Sequence, residues 1–216
     1  MGDQGVFDAV KLVSLSAEPT EIIDIVGPSG AGKSTLLHAL ALLIPRSTGS
    51  LMLNGVDAED LSPQEWRSQV ALVQQKPSLL EGTIKENLTL PWKLKIRKAS
   101  MPPAEARLQE LMQRAGLEEI ALTREVSQLS VGQQARVAFM RTLLTNPSVM
   151  LLDEVDAALD AQSTIYIGAL TSLFAKQGGM VIRVRHKIDD KRAHKRLSLD
   201  HGTGTLETLK RDGQDD

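Results

Sequence analysis

Short apolar runs alternate with polar, helical segments along the chain, and this pattern predicts an α/β protein. Residues 21–26 are rich in β-branched side chains and lead into a Gly-rich turn, which is typical of a strand. The nearly uncharged stretch 34–44 predicts a buried helix. The runs at 70–73, 149–152 and 181–184, which are apolar except at Arg183, predict further short strands, and apolar runs of this kind are typical of central parallel strands.

A more polar and more helical pattern fills the stretch from about 76 to 130. Pro102 and Pro103 precede a charged helix with apolar residues at 108, 111 and 112, and Gly116 is a typical stop signal. We expect this stretch to be a helical subdomain inserted between strands of the α/β core. The predicted organisation is a single domain over 1–210, with its core at about 1–75 and 131–207, followed by a polar tail at 211–216.

Composition narrows the classes of protein that this chain can belong to. The 216 residues are 42% hydrophobic and 24% charged, which is typical of globular domains, and the absence of cysteine excludes disulfide scaffolds and cysteine nucleophiles. The net charge of −2 gives no electrostatic reason to expect a nucleic-acid partner. The longest apolar run, 36–44, is about half of the roughly 18 residues that span a bilayer, and no signal-peptide core stands at the N-terminus, so we expect a cytoplasmic protein.

A phosphate-binding pattern, G-x-x-x-x-G-K-[ST], lies directly between the first predicted strand and the first predicted helix. Glycines let backbone N–H groups converge on phosphate oxygens, and the following helix presents its positive end to the same anion. A lysine supplies charge for the terminal phosphates, and a hydroxyl can bind Mg²⁺. We therefore predict that the nucleotide is bound by Gly27, Pro28, Ser29, Gly30, Ala31, Gly32, Lys33, Ser34 and Thr35.

Two adjacent carboxylates, Asp153 and Glu154, follow the apolar run 149–152. Consecutive strand residues point to opposite sides, so the two acids can take different roles. Asp153 is predicted to hold Mg²⁺, and Glu154 to polarise the attacking water. A strand that ends in a solvated acidic turn is the common alternative for this segment alone.

The pentapeptide at 129–133 reads Leu-Ser-Val-Gly-Gln and precedes a helix predicted to begin near Gln134. In isolation it is equally typical of a serine-capped helix start. In order with the phosphate loop and the acid pair, it closely resembles the ABC-type ATPase family, whose signature is L-S-x-G-Q. The resemblance runs from about residue 6 to 207 and implies a P-loop NTPase core of ABC-ATPase type, a helical subdomain and a small β-subdomain that lacks its first strands.

The resemblance also implies roles for individual residues. Gln75 matches the family's Q-loop glutamine, which contacts Mg²⁺ and water, although the adjacent Gln74 is an alternative assignment. His186 matches the switch histidine that holds the γ-phosphate. The implied catalytic residues are Glu154, His186 and Gln75, and the implied metal ligands are Ser34, Gln75 and Asp153, with ATP and Mg²⁺ as cofactors.

The family resemblance implies partners as well. Two ATPase domains meet head to tail when ATP binds, so Ser130, Gly132 and Gln133 of one copy would cap the ATP of the other, in a homodimer. A separate small membrane permease would dock on the helical insertion, which would place the protein peripherally on the cytoplasmic face of the membrane. The candidate contacts are Leu79, Leu80, Leu90 and Trp92, although core packing explains each of them equally well. Within the family the sequence is most similar to the YbbL/FetA-like subgroup of metal-export ATPases.

The sequence departs from the family pattern at three places. Counting back about 25 residues from Gly27, where the adenine-stacking aromatic is expected, leads to Gly2, and Phe7 aligns better with a packing residue. The loss of such stacking would cost about 1–3 kcal/mol of ATP affinity. The loop after the acid pair has Val155, Asp156 and Ala157 where Pro, Thr and Ser are usual. Arg185 precedes His186 in place of Ser or Thr.

Two other classes of protein share some of these motifs with a transporter ATPase. A non-transport ABC-type ATPase, acting as a scaffold or on nucleic acid, usually carries a long coiled-coil insertion or a second ATPase unit, and this chain has neither. A small-molecule kinase with the same phosphate loop would leave Ser130–Gln133 and His186 unexplained. The transporter ATPase accounts for all of these motifs.

Overall fold

A six-stranded sheet forms the centre of the protein in a computed structural model that describes residues 13–45, 48–76, 78–97, 99–185 and 190–209. The strands are β1 (Ile22–Val26), β2 (Met52–Leu53), β3 (Val56–Asp57), β4 (Val70–Val73), β5 (Val149–Asp153), β6 (Met180–Val184), β7 (Lys195–Asp200) and β8 (Thr203–Thr208). The sheet order is β4-β5-β6-β1-β7-β8, and β8 alone among these strands pairs only antiparallel, with β7. A separate two-stranded hairpin is formed by β2 and β3.

The register of the parallel strands places the loops that follow them at one edge of the sheet. Ile25 of β1 lies opposite Val184 of β6 and Leu197 of β7, and Asp153 of β5 also lies opposite Val184. Ligands of open parallel sheets bind beyond the carboxyl ends of the strands. The phosphate loop, the acid pair and the segment after β6 therefore share one edge.

Six α-helices lie in the described residues, and three of them belong to the segment between β4 and β5. The six helices are α1 (Lys33–Leu40), α2 (Pro63–Gln69), α3 (Ile84–Thr89), α4 (Glu105–Arg114), α5 (Val131–Leu144) and α6 (Ala161–Lys176). The prediction that the first helix extends to residue 44 was wrong: it ends at Leu40 because Leu42 adopts a left-handed φ of 52°, and Pro45 disfavours helix at Ile44. The helix predicted near Gln134 begins earlier, at Val131, because Ser130 caps it.

The hydrophobic core lies in two layers, one on each face of the sheet. Met150 and Leu152 of β5 face the layer that contains Phe139, whereas Leu151 faces the layer that contains Trp66. Side chains alternate across a strand, so this central strand is apolar on both faces. Each fully buried side chain of this size contributes about 1.5–3 kcal/mol, and the two layers fix the strand that ends in the acid pair.

The described residues between β4 and α5 contain helices and one isolated bridge, Thr83–Glu125, in place of a ladder. Besides α3 and α4, three short 3₁₀ helices lie here, at Leu90–Lys93, Lys95–Arg97 and Val126–Gln128. The division into a core and a helical subdomain over about 76–130 stays a prediction. None of the helices described is both long and apolar enough to cross a membrane.

Candidate nucleotide-binding site

The backbone between β1 and α1 requires glycine at positions 27, 30 and 32. Gly30 and Gly32 adopt φ angles of 79° and 92°, in the region that other residues rarely occupy. At Gly27, a Cβ atom would collide with the backbone carbonyl oxygen of Leu199 on β7. Gly32 is the N-cap of α1 and makes no side-chain cap, so the first N–H groups of this helix stay available to an anion.

Lys33 is buried at the start of α1, with 5% of its surface exposed. Its Nζ donates to the carbonyl oxygens of Gly27 and Pro28, both at 2.9 Å. These two bonds fold the ammonium back over the loop, whereas Pro28, Ser29 and Gly30 are exposed. The side chain thus holds a positive charge within the concave loop where the sequence pattern places a phosphate group.

Ser34 and Asp153 meet across the edge of the sheet. The Ser34 hydroxyl donates to Asp153 Oδ1 at 2.8 Å, which joins the first turn of α1 to the last residue of β5. Glu154 follows in a left-handed conformation with φ 50°. Such a conformation is unfavourable for a residue with a side chain, and strain of this kind clusters at functional sites. The structure therefore brings the phosphate loop and both predicted acids together.

Gln74 and Gln75 are exposed and follow β4 directly. β4 pairs with β5 through Val73 and Leu152, so this glutamine pair leaves the sheet at the same edge as Asp153. Both glutamines are compatible with a role at this edge, and the assignment of the Q-loop residue to Gln75 stays a prediction.

Ser130, Gly132 and Gln133 form the N-terminus of α5, away from the phosphate loop in the hydrogen-bond network. The Ser130 hydroxyl accepts from the Gln133 N–H at 3.3 Å, and Gln133 Oε1 accepts from the Ser130 N–H at 2.9 Å. A Cβ atom on Gly132 would collide with the Ser163 hydroxyl of α6. No hydrogen bond among the described residues joins this group to residues 27–35.

Some predicted positions lie outside the described residues. These are His186, and also Gly2 and Phe7, on which the adenine-stacking argument depends. The role of His186 as the switch histidine stays a prediction from the sequence.

Sequence reasoning missed a buried network of charges beside this site. It joins Asp24 on β1, Arg183 on β6, Asp190, Arg185 and Asp156. The sequence marks Arg185 and Asp156 only as departures from the family pattern. An acid or a basic residue inside an otherwise apolar strand, as at Asp24 and Arg183, is the signal that could have revealed the network.

Comparisons with known proteins find relatives over most of the chain. Residues 10–157 match the family described as ABC transporter. The chain is 32% identical to the Escherichia coli protein named "Probable iron export ATP-binding protein FetA" over 90% of this chain and 86% of that protein. It is 37% identical to the methionine import ATP-binding protein MetN of Caulobacter vibrioides over 86% of this chain, and spans only 57% of MetN.

The chain belongs to the ABC transporter family. It is an ATP-binding subunit of this family and an ATPase. Its fold matches a solved dimeric ATP-binding cassette, MJ0796 bound to ADP and Pi, with a TM-score of 0.79 and 30% identity over 94% of this chain and 91% of that one. The mixed α/β fold with a central parallel sheet, predicted from the sequence, is thereby confirmed.

Proposed function

We propose that this ABC transporter ATPase drives a separate membrane permease through ATP-dependent association of two copies. The observation that carries the catalytic part is the Ser34–Asp153 hydrogen bond beside the buried Lys33, at the point where Glu154 leaves the sheet. Lys33 and the loop N–H groups orient the phosphates of ATP. Glu154 accepts the proton of the attacking water as the water oxygen bonds to the terminal phosphorus, the bond from that phosphorus to the bridging oxygen breaks, and ADP leaves.

Magnesium fits the donors at this edge. The Ser34 hydroxyl and the Asp153 carboxylate are oxygen ligands of the kind that Mg²⁺ prefers, and they already lie 2.8 Å apart. Gln75 would add an amide oxygen of the same class from the end of β4. When bound, the ion would offset negative charge on the phosphates. Ser34, Asp153 and Gln75 are thus the proposed metal-holding residues.

The second half of the proposed site comes from another copy of the chain. Ser130 is exposed at the N-terminus of the 14-residue helix α5, and Val131 beside it is 60% exposed. A helix N-terminus with exposed N–H groups favours an anion. In a head-to-tail dimer, Ser130, Gly132 and Gln133 would face the terminal phosphate of the ATP held by the partner copy.

A permease segment would dock in a groove of about 410 Å³ between the sheet edge at β4 and the helical segment. Leu43, Leu94 and Ile96 line it and are each about half exposed, at 48%, 57% and 47%. The sequence-based candidates differ, because Leu79 packs against the core and Leu80 does not line this groove. An exposed apolar groove of this kind is typical of an interaction surface.

The groove also carries a charge that selects its partner. Arg67, Arg97 and Arg141 line it and donate to backbone carbonyls at 3.0, 2.8 and 2.7 Å. None of the three forms an ion pair with a carboxylate among the described residues. The proposed permease segment therefore has an apolar face and at least one carboxylate.

The transported substrate is proposed from the relatives. FetA is named for iron export, whereas MetN is named for methionine import. The fuller coverage of FetA favours metal-ion export, with the cytoplasmic membrane face as the site of action.

The catalytic part is tested with two variants in an ATP binding and hydrolysis assay. Lys33→Ala removes the buried charge and is expected to weaken ATP binding by about 10- to 100-fold. Glu154→Gln keeps the shape of the side chain, so ATP affinity is expected to stay near the parent value while turnover is lost. Hydrolysis by Glu154→Gln at the parent rate would remove Glu154 from its proposed role.

The permease part is tested by pull-down from a membrane fraction with the Arg97→Glu/Arg141→Glu variant. The parent protein should retain a multi-span hydrophobic protein, and the variant should lose it while hydrolysing ATP as before. Met101→Glu, which adds a negative charge at a position 89% exposed that does not line the groove, should retain the partner. Absence of any membrane partner, with ATPase activity stimulated by nucleic acid, would contradict the transporter function.

A further inference from the structure

A chain of ion pairs crosses the sheet from β1 to the turn that follows β5. Asp24 on β1 accepts hydrogen bonds from Arg183 on β6. Arg183 also donates to both carboxylate oxygens of Asp190, at 3.0 and 2.7 Å. Arg185 lies 2.8 Å from Asp190 Oδ2 and donates to Asp156 Oδ2 at 3.0 Å. The network therefore links β1, three residues before the phosphate loop, to the segment that follows the acid pair.

These charged side chains are largely removed from water. The side chains of Arg185 and Asp156 are 7% and 11% exposed, and those of Arg183 and Asp24 are 5% and 6% exposed. Although burial opposes ionisation, hydrogen bonds and charge from Arg183 and Arg185 hold the pKa of Asp190 far below its ordinary value. A buried pair of charges often adds no more stability than apolar residues would, so stability alone is a weak reason for the network.

The turn after β5 is the place where the network has a functional consequence. Glu154 lies there in the left-handed region, which persists only where surrounding contacts determine it. Within the turn, the Ala157 N–H donates to the Glu154 carbonyl at 3.0 Å and the Leu159 N–H to the Asp156 carbonyl at 3.3 Å. Val155 leaves free a φ angle that proline would fix. The Asp156–Arg185 ion pair connects this turn to the residue that follows β6.

Arg185 is held by ion pairs with two acids. Its side chain lines a cavity of about 630 Å³ between α6 and the sheet, together with Asp156 and Asp190. Its Nε makes no hydrogen bond within the part of the chain that the structure describes. Loss of the Asp156 carboxylate would remove the contact between Arg185 and the turn, while Asp190 would still pair with the guanidinium.

We propose that Arg185 is a positioning residue that orients Glu154 by holding Asp156. The proposal rests on the role of Glu154 in the proposed function. Arg185 contacts neither substrate nor the reacting atoms in this account, and acts only through the turn from Glu154 to Leu159. Its removal should change the rate of the chemical step and leave nucleotide binding by the phosphate loop intact.

The test compares Asp156→Asn and Arg185→Met with the parent in steady-state hydrolysis and in equilibrium ATP binding. Misplacement of a catalytic group by a distant change can cost about 100-fold in rate, so we expect kcat to fall about 10- to 100-fold in both variants. The dissociation constant for ATP should change by less than roughly threefold, and the double variant should be no slower than the slower single variant. Asp156→Asn keeps the shape of the side chain, so it answers the question even if Arg185→Met does not fold.

A matched control removes an ion pair at the other edge of the sheet. Lys195 pairs with Glu21 at 2.8 Å, and the two side chains are mostly buried, with 16% and 18% exposed against 7% and 11% for Arg185 and Asp156. Lys195→Met should keep the parent kcat. A loss of kcat in this control equal to that in Asp156→Asn would mean that any broken ion pair slows the enzyme, and would overturn the proposal.

The decisive comparison uses the Glu154→Gln background. If Arg185 acts through Glu154, adding Asp156→Asn to Glu154→Gln leaves the residual hydrolysis rate unchanged. A further fall on that background, a parent kcat in both single variants, or a parallel loss of kcat and ATP affinity would each overturn the proposal. If the Glu154→Gln single variant hydrolyses ATP at the parent rate, the proposed role of Glu154 is refuted. This measurement uses a variant in which Asp156 is unchanged, so it is independent of the proposal for Arg185.

Discussion

At the scale of the residue, Asp190 shows how a single acid can be fixed in the charged state. Arg183 and Arg185 face it from the end of β6, and Arg192 lies 3.0 Å from its Oδ2. These charges and hydrogen bonds lower its pKa in the folded protein against the effect of burial. A carboxyl whose pKa is lower in the folded state stabilises the fold above its unfolded value, and this stabilisation is lost as the pH falls.

Asp190→Asn is therefore expected to lower the free energy of unfolding by about 3–5 kcal/mol at pH 7, because it leaves the buried guanidinium groups of Arg183 and Arg185 with one acid each in place of two. The difference from the parent should narrow as the pH falls below the unfolded value of about 3.8. Chemical denaturation at pH 7 and pH 3 measures both effects. Glu119→Gln, at an exposed acid, should change stability by less than about 0.5 kcal/mol, and a penalty for Asp190→Asn that does not depend on pH would contradict this explanation.

Predictability at this scale depends on distance along the chain. The phosphate loop is a local pattern, so its residues could be named from the sequence, and Ser34 and Asp153 could be paired because their motifs imply one site. Asp24 and Arg183 are 159 positions apart, and no local pattern pairs them. Arg185 was noticed only as an unusual residue because its partners, Asp156 and Asp190, come from two different loops.

At the scale of the element, two helices with the same kind of N-terminal cap differ in their proposed function. α5 and α2 begin in the same way: Ser130 accepts from the Gln133 N–H and Ser62 accepts from the Glu65 N–H, each at 3.3 Å and each in a reciprocal capping box. The two caps share these bonds, and the Ser62 hydroxyl also donates to Glu65 Oε2 at 2.6 Å. Only the N-terminus of α5 is proposed to meet nucleotide, on a second copy of the chain.

Ser130→Ala and Ser62→Ala should each lower the free energy of unfolding by about 1 kcal/mol through loss of the cap. Only Ser130→Ala should also weaken ATP-dependent association, by about tenfold, since it removes a hydrogen bond to a charged group across the dimer. Denaturation and light scattering measure the two quantities separately. An equal effect of both variants on association would show that Ser130 acts through helix stability alone.

The ends of elements were harder to predict than their existence. β4 was predicted at its observed bounds, 70–73, because it is a short apolar run between polar segments. The first helix was predicted to extend to residue 44 since 34–44 is uniformly apolar, but apolar character does not report the left-handed turn at Leu42 that ends it. Pro45 was the signal that could have corrected the end of the helix.

At the scale of the whole molecule, one edge of the parallel sheet gathers the phosphate loop, the acid pair and the turn that holds Glu154. The α/β class and this gathering followed from the order of strands and motifs, because parallel strands place the loops after them on one side. The proposed docking groove could not be predicted from the sequence, because Leu43 and Ile96 are far apart in sequence and come together only in the folded chain. In the proposed site, the signature at the start of α5 comes from a second copy of the chain.

The most direct test is the mass of the Glu154→Gln variant in solution, measured by light scattering with and without saturating ATP and Mg²⁺. We expect one 216-residue chain without ATP and two chains with ATP, because the variant binds ATP, associates and does not hydrolyse it. Lys33→Ala on the same background should stay at one chain under both conditions. A Glu154→Gln variant that remains a single chain at saturating ATP, or forms the same dimer without ATP, would contradict ATP-dependent association of two copies.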